Sequence, residues 1–210
     1  VSLVDIATGD ITLLGTISVS QGGENGLMGL ALSPTFASDR HLFVCYTYGG
    51  SSPPWTNRVS RFTYHPGANP WIDGEQIVLD GMAGGYSHNG CRLGFAPDGK
   101  LFVTMGDGGD ASRALNLSSL SGKVLRIDAD GSIPSDNPVI ASQRTAIFSY
   151  GHRNSQGLDW HPTTGVPFVS EHGPSWDDEV NRLEAGGNFG WNGTRTPPAN
   201  SIAPVLTWNP

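Results

Sequence analysis

A short sequence motif that occurs three times constrains the fold of this chain more than any other feature. In each copy, a few mostly apolar residues end in a proline, and turn residues and a strand-like run follow. The prolines lie at positions 34, 97 and 162, which are 63 and 65 residues apart. A fixed period with several strands per unit is typical of a radial β architecture, in which equivalent loops of every unit face one axis. The three copies are Leu30-Ala31-Leu32-Ser33-Pro34, Leu93-Gly94-Phe95-Ala96-Pro97 and Leu158-Asp159-Trp160-His161-Pro162.

This period, together with a near absence of helical periodicity, predicts an all-β protein. We expect a single β-propeller domain over residues 1–210, built from four-stranded antiparallel blades. A hairpin within residues 1–15 is interpreted as the outer end of a preceding blade. About three and a half blades do not close a ring and leave sheet edges exposed. We therefore expect further blades from the same chain or from another one. The repeats are 26–64, 90–128 and 155–184, with inner strands near Gly26–Leu32, Cys91–Ala96 and Gly157–His161.

The composition narrows the functional classes. The chain has 29 glycines and 15 prolines with 37% hydrophobic residues, which suits many short strands joined by tight turns. Its net charge of −7 argues against a nucleic-acid surface. No apolar run approaches the length of a membrane span. The two cysteines, Cys45 and Cys91, lie in apolar strand-like or turn-adjacent settings, which favours buried free thiols over a disulfide.

Five polar clusters stand directly before or after strands of the repeat. If equivalent loops face the axis, one His, one Asp and one Arg meet there. Together they would form a general base, its orienting carboxylate and a cation for developing negative charge. The clusters are Gly23-Glu24-Asn25-Gly26, Ser87-His88-Asn89-Gly90-Cys91-Arg92, Gly106-Asp107-Gly108-Gly109-Asp110, Tyr150-Gly151-His152-Arg153-Asn154 and Glu171-His172-Gly173-Pro174.

Structural roles for the same residues remain open at this stage. A histidine at a strand entrance is commonly a hydrogen-bonded structural residue. The cluster at 106–110 also has the composition of a simple turn, because Gly and Asp are the usual turn residues. The tryptophans Trp71, Trp160 and Trp191 suit blade packing better than a substrate platform.

The motifs resemble those of the soluble quinoprotein glucose dehydrogenases and the bacterial aldose sugar dehydrogenases. These are six-bladed β-propellers that use pyrroloquinoline quinone (PQQ) and Ca²⁺. The matching segments follow the family's order and cover nearly the whole chain. They are Glu24–Ala31, His88–Leu93, Pro97–Asp107, Gly122–Ile127, Tyr150–Leu158, Ser170–Pro174 and Asp178–Asn181.

The resemblance implies a role for each matched residue. His88 would remove the proton of the anomeric hydroxyl, and Asp107 would fix the tautomer of its imidazole. Arg153 would stabilise negative charge on the quinone oxygen. Ca²⁺ would bind the backbone carbonyls of Gly173 and Pro174, in keeping with the preference of that ion for oxygen ligands. The implied cofactor contacts are Glu24, His88, Arg153, Asn154, Gly173 and Trp208.

The same resemblance implies oxidation of an aldose to its lactone in the bacterial periplasm or outside the cell, with electrons passed to an unidentified acceptor. The chain departs from the pattern of the family in two respects. Cys91 occupies a position where the family usually has a small residue, often Gly, and further basic cofactor contacts belong to later blades than this chain contains. The alternative is a noncatalytic propeller module that binds carbohydrate or protein, as in the hedgehog-interacting relatives.

Overall fold

The structure, a computed structural model, describes residues 1–209 and is built almost entirely from β-strands. The chain begins with the predicted hairpin, β1 (Ser2–Val4) paired antiparallel with β2 (Ile11–Leu13). Only two single-turn helices occur in the described part, α1 (Phe36–Asp39) and α2 (Ser112–Leu115).

Three four-stranded antiparallel sheets follow the hairpin, which confirms the predicted propeller blades. In blades one and three the spatial order of the strands is the order in the chain. In blade two a small hairpin is inserted before the outermost strand. Blade one contains β3 (Leu27–Leu32), β4 (His41–Tyr48), β5 (Thr56–Tyr64) and β6 (Ile72–Ala83). Blade two contains β7 (Leu93–Phe95), β8 (Leu101–Met105), β9 (Lys123–Ile127), the inserted β10 (Val139–Ile140) and β11 (Gln143–Arg144), and β12 (Ile147–Tyr150). Blade three contains β13 (Ser155–Trp160), β14 (Pro167–Glu171), β15 (Asp178–Arg182) and β16 (Leu206–Trp208).

The middle strands read as continuous apolar runs because neighbouring blades cover them. Every residue of β8 and β9 is buried, so these strands lack the alternation of a sheet with one face in water. One core forms between blades one and two, where the rings of Phe43 and Phe95 meet edge to face with centroids 5.1 Å apart. A second core joins blades two and three, where Phe102 meets Trp160 at 5.6 Å. The blades are therefore held together by hydrophobic packing across their faces.

The cysteines correct the sequence prediction, because Cys45 and Cys91 form a disulfide. Cys45 lies in the middle of β4, whereas Cys91 lies three residues after His88 in the loop before β7. The two residues are 46 apart in sequence and their Cα atoms are 5.7 Å apart. They become neighbours only when blade two packs on blade one, which the local apolar context of each cysteine cannot reveal. Cys91 has a φ of 67°, which is the left-handed region that favours glycine.

We predict that the Cys45→Ala, Cys91→Ala double variant of the intact protein loses about 2–4 kcal/mol of unfolding free energy, because the crosslink restricts the unfolded chain. Denaturant unfolding with and without reductant measures the loss. In the wild-type protein, thiol titration in denaturant without reductant should detect neither cysteine. Detection of both would contradict the crosslink.

Candidate active site

The candidate base, His88, lies in the loop between β6 and β7. Its Nδ1 is 2.8 Å from Asp107 Oδ1, so the hydrogen bond predicted from the sequence is present. Its backbone N–H donates to Glu24 Oε2 at 2.7 Å, and its carbonyl accepts from the Gly108 N–H at 3.0 Å. His88 adopts a φ of 60°, an uncommon conformation that these contacts maintain. The imidazole is 20% exposed. No residue in 1–209 hydrogen-bonds to its Nε2, which leaves this nitrogen free for a ligand.

Asp107 is the residue that joins the base to the rest of the site. It lies two residues after the end of β8 and is buried. One carboxylate oxygen accepts from His88 and from the Gly109 N–H at 2.8 Å, and the other accepts from Trp191 Nε1 at 2.7 Å. A Cβ on the preceding residue, Gly106, would overlap the His88 carbonyl oxygen, so β8 can approach the base only because that residue is glycine.

Arg153 lies between β12 and β13 and is attached to Asp107 through the backbone. Its carbonyl accepts the Asp107 N–H at 2.8 Å, and its Nη1 donates to the His172 carbonyl at 2.9 Å. The guanidinium carbon is 5.6 Å from the ring centroid of Trp191. Asp107 thus contacts both His88 and Arg153 and brings together the three residues that the sequence proposed. Their chemical roles stay predictions.

The guanidinium of Arg153 is partly buried among acidic residues and has a donor to spare. Burial lowers the pKa of its guanidinium, and four nearby carboxylates oppose that shift. Its Nε is buried and has no partner among the described residues, which leaves a donor available for a ligand. The four carboxylates belong to Asp107, Glu171, Glu24 and Asp178.

A cleft of about 460 Å³ opens beside Arg153. Trp176 and Trp191 provide its aromatic walls, and Gly173 and Pro174 line it as well. A planar anionic cofactor such as PQQ fits this set of residues, because it needs a cation at its oxygens and apolar surface at its ring faces.

The predicted calcium loop has tight backbone geometry. The Gly173 N–H donates to Asp178 Oδ1 at 2.8 Å, and a Cβ on Gly173 would overlap the Trp176 carbonyl oxygen. In residues 1–209 no group of three or more His, Cys, Asp or Glu side chains is arranged to hold a metal ion. A cation at this loop would therefore depend on backbone carbonyls, as the sequence prediction assumes.

The other predicted cofactor contacts lie in different settings. Glu24 uses one carboxylate oxygen to hold the His88 backbone. Asn154 is buried, and its Oδ1 accepts the Gly90 N–H at 3.2 Å. This side chain therefore also supports the loop between β6 and β7 that carries His88. Trp208 lies on the outermost strand, in register with Asp178, and its neighbour Thr207 lines the cleft instead. The structure thus does not bring Trp208 into the cleft.

The fold and the arrangement of these residues define a β-propeller with a polar site where the inner strands begin. The sequence profile of the family described as Glucose / Sorbosone dehydrogenase matches residues 2–200. The chain belongs to this family, as its motifs predicted. No helix in residues 1–209 is both long and apolar enough to cross a membrane.

Similar proteins support this assignment. Quinoprotein glucose dehydrogenase B from Acinetobacter calcoaceticus is 33% identical over 195 residues, which cover 80% of this chain and 40% of that protein. Hedgehog-interacting protein from Mus musculus is 30% identical over 178 residues, which cover 73% of this chain and 25% of that protein. The solved PQQ-bound form of aldose sugar dehydrogenase from Streptomyces coelicolor has a TM-score of 0.90 and 35% identity, and the match covers 99% of this chain and 61% of that one. The chain spans about half the length, or less, of the curated relatives it matches.

Sequence reasoning assigned Trp191 to packing, but the structure places it in the site. Its indole donates to Asp107 and its ring lies beside Arg153. The tryptophan is 84 residues from Asp107 in the chain, so no local pattern links the two. Trp160 does pack between blades, as expected.

A buried lysine, Lys123, anchors the loop that carries Asp107. Its Nζ donates to three backbone carbonyls, those of Arg113 at 2.7 Å, Ala114 at 2.9 Å and Ser121 at 2.9 Å. Burial lowers the pKa of this ammonium group to about 7. Arg113 in turn donates to the Asp107 carbonyl at 3.0 Å. The lysine therefore stabilises the loop that carries Asp107, the partner of the candidate base.

We predict that Lys123→Met lowers the free energy of unfolding by at least about 2–3 kcal/mol, because three backbone carbonyls, two of them in buried hydrogen bonds, lose their donor. Lys100→Met is the control, since Lys100 makes a partly exposed ion pair with Asp128 and surface pairs contribute little. Thermal and denaturant unfolding compare the two variants. Equal stability of both would contradict the anchoring role.

Glu179 lines the same cleft and gives a pH prediction. Burial raises its pKa from 4.5 to about 7, with Glu171 adding to the shift and a hydrogen bond from Asn181 opposing it. The folded state therefore binds this proton more tightly than the unfolded state. Stability should fall as the pH rises from about 4.5 to about 7, and Glu179→Gln should remove that component. The melting temperature in chelator-treated buffer across this range is the measurement. Glu184→Gln, at an exposed carboxylate, should keep the wild-type slope.

Proposed function

We propose that the intact protein oxidises aldose sugars at the anomeric carbon to lactones and passes the hydride to PQQ. The observation that carries this proposal is the His88–Asp107 pair beside Arg153 in a chain of the glucose/sorbosone dehydrogenase family. A free imidazole nitrogen, a cation and an aromatic cleft are the groups that this reaction needs.

In the proposed mechanism, His88 Nε2 accepts the proton of the anomeric hydroxyl. Asp107 holds the Nδ1 proton, which leaves Nε2 as the acceptor and stabilises the imidazolium that forms. As the proton leaves, electron density on the sugar oxygen favours departure of the hydride from the same carbon. PQQ, when bound, supplies the hydride acceptor. Arg153 stabilises negative charge near the cleft, and Trp191 limits access of water to Asp107.

We further propose that Ca²⁺ binds at the carbonyls of Gly173 and Pro174. Both residues line the cleft beside Arg153, and carbonyl oxygens are suitable ligands for this ion. Asp178 holds the loop through the Gly173 N–H. Glu24 and Asn154 would contribute by fixing the His88 loop. An external electron acceptor, which the chain does not identify, would receive the electrons.

We infer a periplasmic or secreted location, which the disulfide supports because such bonds persist in oxidising compartments.

A noncatalytic binding module is the second candidate function. The similarity to hedgehog-interacting protein favours it. Reconstitution of the intact protein with PQQ and Ca²⁺, followed by a dye-linked assay on a panel of sugars, separates the two. Absence of both quinone binding and sugar-dependent dye reduction would favour the binding module.

We predict that His88→Ala lowers the rate of quinone reduction by about 10²–10⁴, because general-base assistance is lost. Quinone affinity should remain near that of wild type, since the substitution leaves the Arg153 cation beside the anionic cofactor in place. Arg153→Ala should reduce both affinity and rate, because it removes the cation beside an anionic cofactor. Stopped-flow absorbance at saturating quinone compares the three proteins. A His88→Ala rate within a few fold of wild type would exclude His88 as the base.

A further inference from the structure

Blades two and three contain the same histidine–carboxylate unit in different surroundings. His88 and Asp107 are 19 residues apart in sequence, and so are His152 and Glu171. In both units the imidazole Nδ1 is 2.8 Å from the carboxylate. The His88 side chain is 20% exposed, whereas that of His152 is 0% exposed. The second histidine therefore cannot reach a substrate, although its partner Glu171 lines the cleft beside Arg153.

The buried unit fixes one oxygen of the Glu171 carboxylate. Oε2 accepts from His152 Nδ1 and from Ser155 Oγ, the latter at 2.7 Å. His152 is itself held, because its Nε2 is 2.9 Å from Ser149 Oγ and its ring stacks on Phe189 with centroids 4.8 Å apart. All of these contacts are buried, so the carboxylate has little freedom to move.

The other carboxylate oxygen, Oε1, accepts the backbone N–H of Arg153. The next residue, His172, accepts from the guanidinium of the same arginine. Two consecutive residues at the end of β14 therefore hold Arg153 at its backbone and at its charged end. Burial costs the guanidinium solvation, and the Glu171 charge offsets part of that loss.

We propose that Glu171, held by His152 and Ser155, is the positioning residue for Arg153 and sets where its guanidinium lies in the cleft. This inference rests on the proposed function, in which Arg153 is the cation beside the cofactor. It assigns the buried pair of blade three a support role, whereas the histidine of the equivalent pair in blade two is partly exposed and keeps Nε2 free.

The main test variant is Glu171→Gln in the intact protein. The glutamine amide replaces one carboxylate oxygen by an NH₂ donor and removes the negative charge. The donors of His152, Ser155 and the Arg153 backbone, which meet at this carboxylate, then lose one acceptor. We expect PQQ affinity, measured by equilibrium titration, to fall at least about tenfold. The KM for sugar should change little. Ser155→Ala removes a single hydrogen bond and is the milder variant, with an expected loss of about threefold.

Ser60→Ala is the matched control. Ser60 is also fully buried and donates to a glutamate, Glu75, at 2.7 Å, but it lies in blade one and does not contact Arg153. It should keep wild-type quinone affinity. In the Arg153→Ala background, Glu171→Gln should no longer lower the affinity, because the positioning effect is lost once its target is absent. Full additivity of the two substitutions would overturn the proposal.

A second readout does not depend on the cofactor. Phenylglyoxal modification of Arg153, followed by mass spectrometry, reports how firmly the guanidinium is held. Its rate should rise about threefold or more in Glu171→Gln through local opening and stay unchanged in Ser60→Ala. If wild-type protein fails to bind PQQ, the proposed function fails, and this rate still decides the positioning role. A Glu171→Gln modification rate equal to that of wild type would reject it.

Discussion

Hydrogen bonds between equivalent positions of successive blades determine the geometry of the whole site. Glu24 accepts from the His88 backbone, Asn89 donates to Asn25, and Asn154 accepts from the Gly90 N–H; the partners in each pair are 64 residues apart. Each bond joins the entrance of one inner strand to the entrance of the next. The period that shapes the fold therefore also places three loops side by side, and these bonds hold the His88 loop together with the Gly108 N–H and the Cys45–Cys91 disulfide.

The repeat supplies equivalent positions, but packing decides what each one does. The histidine of blade two is 20% exposed. The histidine of blade three is covered by Phe189 and lies against Ser149. The two imidazoles have the same partner type at the same distance. Exposure and an unpaired Nε2 separate a candidate base from a structural residue, and both arise from the surrounding residues, which differ between the blades.

The sequence predicts the features that depend on local pattern. The three motifs that end in proline predicted the blades. The placement of His88, Asp107 and Arg153 at strand entrances and ends predicted that these residues meet. The features that it missed depend on contacts between distant segments. The Cys45–Cys91 disulfide forms across two blades, and Trp191 reaches Asp107 from 84 residues away. A single sequence contains no signal for such pairs, because neither partner has a distinctive local context.

The charge balance of the cleft bears on how an anionic cofactor could bind. Arg153 faces four carboxylates, and Glu179 lines the same space with a pKa raised by burial and by Glu171. Protonation of Glu179 relieves part of the repulsion between these two acids. The site as a whole is nevertheless rich in negative charge, which would repel a polyanionic quinone if Arg153 acted alone. A divalent cation at the Gly173 and Pro174 carbonyls would offset much of that negative charge, because it adds two positive charges beside the guanidinium. Calcium and the cofactor are therefore expected to bind together, each offsetting the charge of the other in a cleft that neither would occupy as readily by itself.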